Sequence, residues 1–289
     1  MGKPPKRANL KGPGTCIFCG RVAGTKEGNI TISMSRQHLW PEWMQKPFPK
    51  TGENHTNTQI MTKMLPGKQI AILPYLKEYQ GDVKTRRLRI VCEYHCNNGW
   101  INHAEDDTKE FLIPLIKGEY FTLAEEHQKK FALWLAVACT VWEYTHDATR
   151  AISDEDRKFI YDKRDVPPHW SMWIGNYRGA EWQTRYRHHG GHALPTELFS
   201  KDMVGGSYPP NHQTTSLQIG ELYMHVASST LESIWQFDHA NDLPGMMRLW
   251  PIRGPIQWPN LFTLDDAAAI AIADRMMTAG IEGLKGKDW

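Results

Sequence analysis

Two short cysteine pairs, Cys16-Ile-Phe-Cys19 and Cys92-Glu-Tyr-His-Cys96, bracket a histidine at His38. Zinc takes a tetrahedron of thiolates and imidazoles, and two intervening residues let one tight turn present both ligands of a pair. The first pair has that spacing. The second is one residue longer, and Cys92-x2-His95 offers a competing pair within it. Cys96 is favoured as the fourth ligand, with His95 as the alternative, because Asn97 follows Cys96 directly and suits a catalytic pattern. A zinc enclosed by Cys16, Cys19, Cys92 and Cys96 is structural, since no position is left open for substrate. Cys139 stands alone in an apolar run and reads as a small buried hydrophobe.

His38 lies just after a β-like run, Asn29–Met34. A neutral imidazole can take a proton from water, whose oxygen then attacks phosphorus. A divalent ion beside it, Mg2+ or Mn2+, stabilises the charge on the scissile phosphate. The side-chain oxygen of Asn97 is a candidate ligand for that ion.

This set of residues resembles the HNH endonuclease family. It looks closest to a bacterial and phage subgroup with a Cys-x-x-Cys-Gly start, a Glu-His-x-x-Pro-x-Trp box and a Cys-x2-Cys-Asn-x-Gly-Trp box. The matching stretches are Cys16-Ile-Phe-Cys19-Gly20, Gln37-His38-Leu39-Trp40-Pro41-Glu42-Trp43 and Cys92-Glu-Tyr-His-Cys96-Asn97-Asn98-Gly99-Trp100. The resemblance covers residues 14–120. It implies a ββα-metal fold and metal-dependent hydrolysis or nicking of DNA, in settings such as phage defence or phage biology. His38 is then the general base and Asn97 a ligand to Mg2+ or Mn2+. RNA stays open as a substrate.

Three departures accompany the likeness. Gln37 replaces the acidic residue that usually ligates the catalytic metal, Arg87 stands where the family's middle Asn is expected, and the second cysteine pair has its extra residue. On a helix starting near Asn98, Asn98, Asn102 and Glu105 share one face, so Glu105 is the candidate for the missing carboxylate. Asn102 and His103 read equally well as solvated residues. The same departures support a reading of another class, a zinc-stabilised nucleic-acid- or protein-binding module without catalysis.

The charge distribution suits a polyanionic partner. Residues 1–100 carry 16 Lys/Arg against 6 Asp/Glu, and the rest of the chain 18 against 26, within a net charge of only +2. Lys3, Lys6, Arg7 and Lys11 form a basic arm over residues 1–14, able to lie along phosphates. Lys84, Arg86, Arg87 and Arg89 are candidate contacts to the nucleic-acid backbone, with alternate members of a strand facing opposite ways. His188, His189 and His192 suggest a second metal site, although beside Arg185 and Arg187 they read more plainly as surface polar groups.

The expected fold is α+β: residues 15–120 as a zinc-stapled ββα-metal module, and residues 121–289 as a mixed helix and antiparallel-strand domain that selects substrate, binds a protein partner or self-associates. Strand-like runs cover Lys68–Pro74 and Arg87–Val91, while 46–68 is polar and turn-rich. The pattern from Trp100 is helical, with Pro114 expected to kink or end it. Thr122-x-x-Glu125 opens a helix over 123–145, and Thr263-x-x-Asp266 opens an Ala-rich helix toward Gly280; both have the form of a capping box. Residues 168–188 and 213–229 read as antiparallel strands. No apolar run is long enough to cross a bilayer, and the first residues lack a signal's apolar stretch, so a soluble cytoplasmic protein is expected.

Overall fold

A computed structural model describes residues 14–48, 54–64, 70–180, 185–191 and 210–275. The basic arm, His192 and Gly280 lie outside the described residues. The chain is a mixed α+β protein with mainly antiparallel sheets.

Strands β1 (Lys26–Glu27) and β2 (Ile30–Thr31) form a small hairpin; β3 is Met34–His38. His38 is therefore the last residue of a strand, and the run expected over 29–34 is split. A single turn of helix, Glu42–Gln45, follows Pro41, whose fixed φ suits that position. Strands β4 (Asn54–Met64) and β5 (Ile70–Gln80) pair antiparallel over their whole length. The segment expected to be an irregular insert thus contains an eleven-residue strand. Its local pattern is weak, and pairing with β5 and another strand decides its conformation.

Strand β6 (Arg87–Cys92) pairs antiparallel with β3. It runs directly into a wide helical segment, Glu93–Ile101, which breaks at Gly99. Helix α1 (Asn102–Asp106) continues it, and α2 (Lys109–Ile116) extends two residues beyond Pro114 before ending.

Strand β7 (Phe121–Leu123) precedes α3 (Glu125–Glu143), and α4 (Asp154–Lys163) follows. Then come β8 (Ser171–Tyr177), β9 (Arg185–Gly191), β10 (His212–Ile219) and β11 (Leu222–Ser229). Helix α5 (Glu232–Ala240) and strands β12 (Met247–Trp250), β13 (Ile256–Trp258) and β14 (Thr263–Leu264) lead to α6 (Asp266–Ala273).

Both expected capping boxes are displaced. Thr122 lies in β7 and donates to Gln257 Oε1 at 2.9 Å, while His127 Nδ1 accepts from the Ala124 N–H at the true start of α3. Thr263 lies in β14, and Asp265 caps α6 by accepting from Ala268 N at 2.8 Å. Threonine at a strand end satisfies the same sequence pattern without capping anything.

The main sheet has the order β12-β8-β11-β10-β9-β4-β5, with β14 added beside β8. It includes β4 and β5 from the first part of the chain, so it crosses the boundary expected near residue 120. One apolar cluster does the same, running from Cys16 through α3 to Trp258. Helix α3 is buried almost all round from Phe131 onward and lies in this core. Alternate residues of β8 explain how both sheet faces are filled. Met172 and Ile174 join the α3 side, whereas Trp173 and Tyr177 join a second cluster with Ala269, Ile272 and Ala273 of α6.

Trp142 connects these parts. Its ring stacks on Tyr186 of β9 at 4.2 Å and meets Trp40 edge-on at 5.7 Å, and its Nε1 donates to the Leu39 carbonyl at 3.0 Å. Trp142→Ala removes all three contacts and is expected to cost about 3–5 kcal/mol. Trp142→Phe keeps the ring packing and strands the Leu39 carbonyl, with a loss of about 1–3 kcal/mol. Urea unfolding of the three proteins measures both.

Candidate metal centre and the cluster around His38

Strand pairing brings the two cysteine pairs together. Cys92 ends β6 opposite Met34, Cys96 sits one helical turn later, and the Cys16–Cys19 turn is held on β6 by the Ile17 N–H to the Ile90 carbonyl at 3.0 Å. The four sulfurs all lie within 4.8 Å of one another. Cys16 and Cys96 Sγ are 3.7 Å apart, and Cys19 and Cys92 Sγ are 3.5 Å apart. Sulfurs at the corners of a zinc tetrahedron with 2.3 Å bonds stand about 3.8 Å apart, so the set fits a zinc-sized ion closely. These four cysteines can hold a metal ion such as zinc. Cys96, not His95, completes the group, and His95 Nε2 instead approaches Glu27 Oε2 at 3.6 Å. Hydrogen bonds from Cys16, Cys92 and Cys96 hold the Cys19 thiol below its ordinary value, with Arg21 adding to the effect. Deprotonation, which metal binding requires, starts most easily there.

The other expected residues gather on β3. Gln37 is 3% exposed, and its Nε2 donates to Glu105 Oε1 at 2.9 Å and to the His38 carbonyl at 3.2 Å. Its Oε1 is buried with no partner. An orphaned amide oxygen beside a carboxylate is a donor set that suits a hard divalent cation. Asn97 Nδ2 donates to Ser35 Oγ at 2.6 Å, two residues from Gln37 along the same strand. Burial pushes the Glu105 carboxyl up to about 7, against the lowering effect of the Gln37 hydrogen bond, while Asp106 and Glu42 add to the rise.

His38 faces Arg87 across the β3–β6 pair. Burial and the Arg87 charge hold its imidazole below the ordinary histidine range, with Glu42 opposing them. The ring is therefore neutral at neutral pH, the form a general base needs. Its Nε2 lies 3.9 Å from Glu42 Oε2, and Gln45 Nε2 lies 3.5 Å from its Nδ1. Glu42 and Gln45 were not singled out from the sequence. Their signal was the short helix after Pro41, which returns Glu42 to His38 at four residues' spacing.

The basic run divides. Arg87 and Arg89 are on the exposed side of β6. Lys84 precedes the strand, is 2% exposed, and sits 3.5 Å from Asp82 Oδ2 and from the Phe48 carbonyl, so it does not face a phosphate backbone. Arg86 lies 3.6 Å over the Tyr79 ring. His188 and His189 are both buried and point to opposite faces of β9, so they do not share an ion as neighbours in sequence. Asn102 and His103 are exposed, as solvated helix residues.

Two outcomes follow. Elemental analysis of the purified chain is expected to give one zinc held by the cysteines, and Cys92→Ser is expected to lose it together with several kcal/mol of stability. In protein free of other divalent ions, the raised Glu105 value stabilises the fold below pH 4.5 relative to higher pH, and that contribution is lost as pH rises through about 7. Glu105→Gln should therefore flatten the fall in stability between pH 4.5 and 7 by on the order of 2 kcal/mol, discounted for the carboxyl's partial access to water. Urea midpoints across that range measure the difference.

No family model matches this chain, and neither the curated proteins nor the solved structures contain a match to it.

Proposed function

We propose that this protein is an HNH-type metal-dependent endonuclease acting on DNA. The observation that carries the reading is the hydrogen bond between Gln37 and Glu105, which puts a carboxylate where the sequence lacks one. It lies beside a neutral histidine at the end of a strand pair that runs straight into a helix. A divalent ion held by the Gln37 and Glu105 oxygens, with Asn97 of the helical segment after β6 hydrogen-bonded to Ser35 on the same strand as Gln37, would supply electrostatic stabilisation of the phosphate charge.

The chain's own residues do the rest. His38 accepts a proton from a water molecule whose oxygen bonds to phosphorus, and the bond to the leaving oxygen breaks as the phosphate inverts, that oxygen taking a proton from solvent water. One product ends in a phosphate and the other in a hydroxyl. Burial together with the Arg87 charge keeps His38 unprotonated, and Arg87 with Arg89 offers exposed positive charge along the approach to β6. Phosphate contacts of this kind position a duplex without reading its sequence.

Plasmid DNA incubated with the protein and Mg2+ or Mn2+ tests the reading. Wild type is expected to convert supercoiled plasmid to nicked or linear product, His38→Ala to lose about 10²–10⁴-fold in rate, and Glu105→Gln to need far more metal. Cutting by His38→Ala at the wild-type rate would overturn it. Retention of DNA on a filter without cleavage under any metal would favour the non-catalytic binding module.

A further inference from the structure

Asp82 and Lys84 are charged, buried and unused by the reaction proposed above. Lys84 is 2% exposed and Asp82 6%. Lys84 Nζ lies 3.5 Å from Asp82 Oδ2 and donates to the Phe48 carbonyl at 3.5 Å. Asp82 Oδ1 accepts from the Lys84 N–H at 2.8 Å and so caps a single helical turn, Val83–Thr85. A buried ion pair repays little of its desolvation cost, so stability is a poor reason for keeping one. What such a pair does is hold a geometry.

The geometry held here is the turn beside His38. Phe48 lies just beyond the short helix Glu42–Gln45, so Lys84 Nζ straps that segment to the turn Val83–Thr85. Gln45 Nε2 donates to the Lys84 carbonyl at 3.3 Å and lies 3.5 Å from His38 Nδ1. The Leu39 N–H donates to the Arg86 carbonyl at 3.0 Å, which ties the backbone after His38 to the backbone after the turn. The Nδ1 edge of the ring is thus on the side of Gln45 and the Lys84 carbonyl. The Nε2 edge is on the side of Glu42, at 3.9 Å from its Oε2.

A carbonyl oxygen only accepts, and it has two lone pairs. A ring nitrogen bonded to it must therefore carry the hydrogen. Burial and the Arg87 charge lower the His38 imidazole, while Glu42 and a hydrogen bond to the Lys84 carbonyl oppose them. That oxygen can take His38 Nδ1–H and the Gln45 amide together. A hydrogen held at Nδ1 leaves Nε2 as the basic nitrogen, because the bond made by one ring nitrogen sets the state of the other.

We propose that the buried Asp82–Lys84 pair is a positioning device for His38: it fixes the turn whose Lys84 carbonyl, together with Gln45, holds Nδ1–H and leaves Nε2 bare toward the attacking water. Lys84 is thereby assigned to the base and not to phosphate, an assignment that rests on the nuclease reading for the role of His38. Asp82, Lys84 and Gln45 touch no reacting atom, and they act through the ring they hold.

Nitrogen NMR of the full-length protein, isotopically labelled at histidine, reads the tautomer directly, with the His38 signals identified by their loss in His38→Gln. Wild type is expected to show a protonated Nδ1 and a bare Nε2 in the neutral ring. The double variant Asp82→Asn, Lys84→Met removes both charges and keeps an oxygen to cap the turn. It is expected to shift His38 to a mixture of tautomers and to lower kcat on plasmid at least about tenfold, with DNA affinity and its salt dependence unchanged. Gln45→Met leaves the buried pair in place and is expected to do the same, so it decides the matter if circular dichroism shows the double variant unfolded. A wild-type ring with its hydrogen on Nε2, or folded variants with the wild-type tautomer and rate, would overturn the proposal. Weaker DNA binding of the double variant at unchanged kcat would also overturn it, by making Lys84 a phosphate contact. If wild type cuts no DNA with any metal, the nuclease reading fails, while the tautomers of wild type and variants still decide whether the pair holds His38.

Discussion

Four sulfurs within 4.8 Å of one another are the constraint on which the front of this protein depends. The segment 14–48 has little regular structure of its own: two strands of two residues, one of five, and a single helical turn. It is fastened to the chain some 73 to 80 residues later by the Cys19–Cys92 and Cys16–Cys96 contacts. Four thiolates alone would repel, so the cluster is adhesive only around a cation. Cys92 is at once a member of that cluster and the pairing partner of Met34. The metal group and the β3–β6 register are therefore one decision, and the register sets His38 against Arg87 and Gln37 against Leu88.

Partial burial then acts on two groups of opposite sign with the same result. It disfavours the cationic form of His38 and the anionic form of Glu105, leaving both closer to neutral than they would be in water. Neutrality serves the histidine in the proposed reaction, where it accepts a proton. In Glu105 it is a state that a divalent ion would reverse, because a nearby +2 charge outweighs desolvation of one carboxyl. The unpartnered Gln37 Oε1 belongs to the same account, since a cation gives both oxygens a partner at once.

What was legible in the sequence follows the range of the interaction that decides it. Cysteine spacing is local chemistry, and the four cysteines that gather were identifiable from it; Cys96 over His95 needed the helical geometry after β6. Glu105 was reachable by helical periodicity, although its helix starts earlier than expected and breaks at Gly99. Strand β4 was missed because its structure comes from pairing with β5 and β9, partners that no local pattern reveals. Lys84 was grouped with the arginines by composition alone, but it precedes the strand whose alternation exposes Arg87 and Arg89. The histidines of β9 were noticed as a run in sequence, whereas the strand separates them: His189 shares a face with His212 of the neighbouring β10 and His225 of β11, and His188 lies on the other face.

The same sheet explains why the rear of the chain is not a loose appendage to the candidate site. Leu39 follows His38 directly, and its carbonyl accepts from Trp142 of α3, a helix buried in the core between the two parts. Trp142 is in turn stacked on Tyr186, so the backbone at His38 is fixed from β9 through two aromatic contacts and one hydrogen bond. A general base works only when its ring is held in reach of its water, and small displacements of supporting groups cost rate. The cysteines hold β3 from one side and α3 holds the turn after it from the other. In the proposed reaction, loosening either is therefore equivalent to moving the base itself.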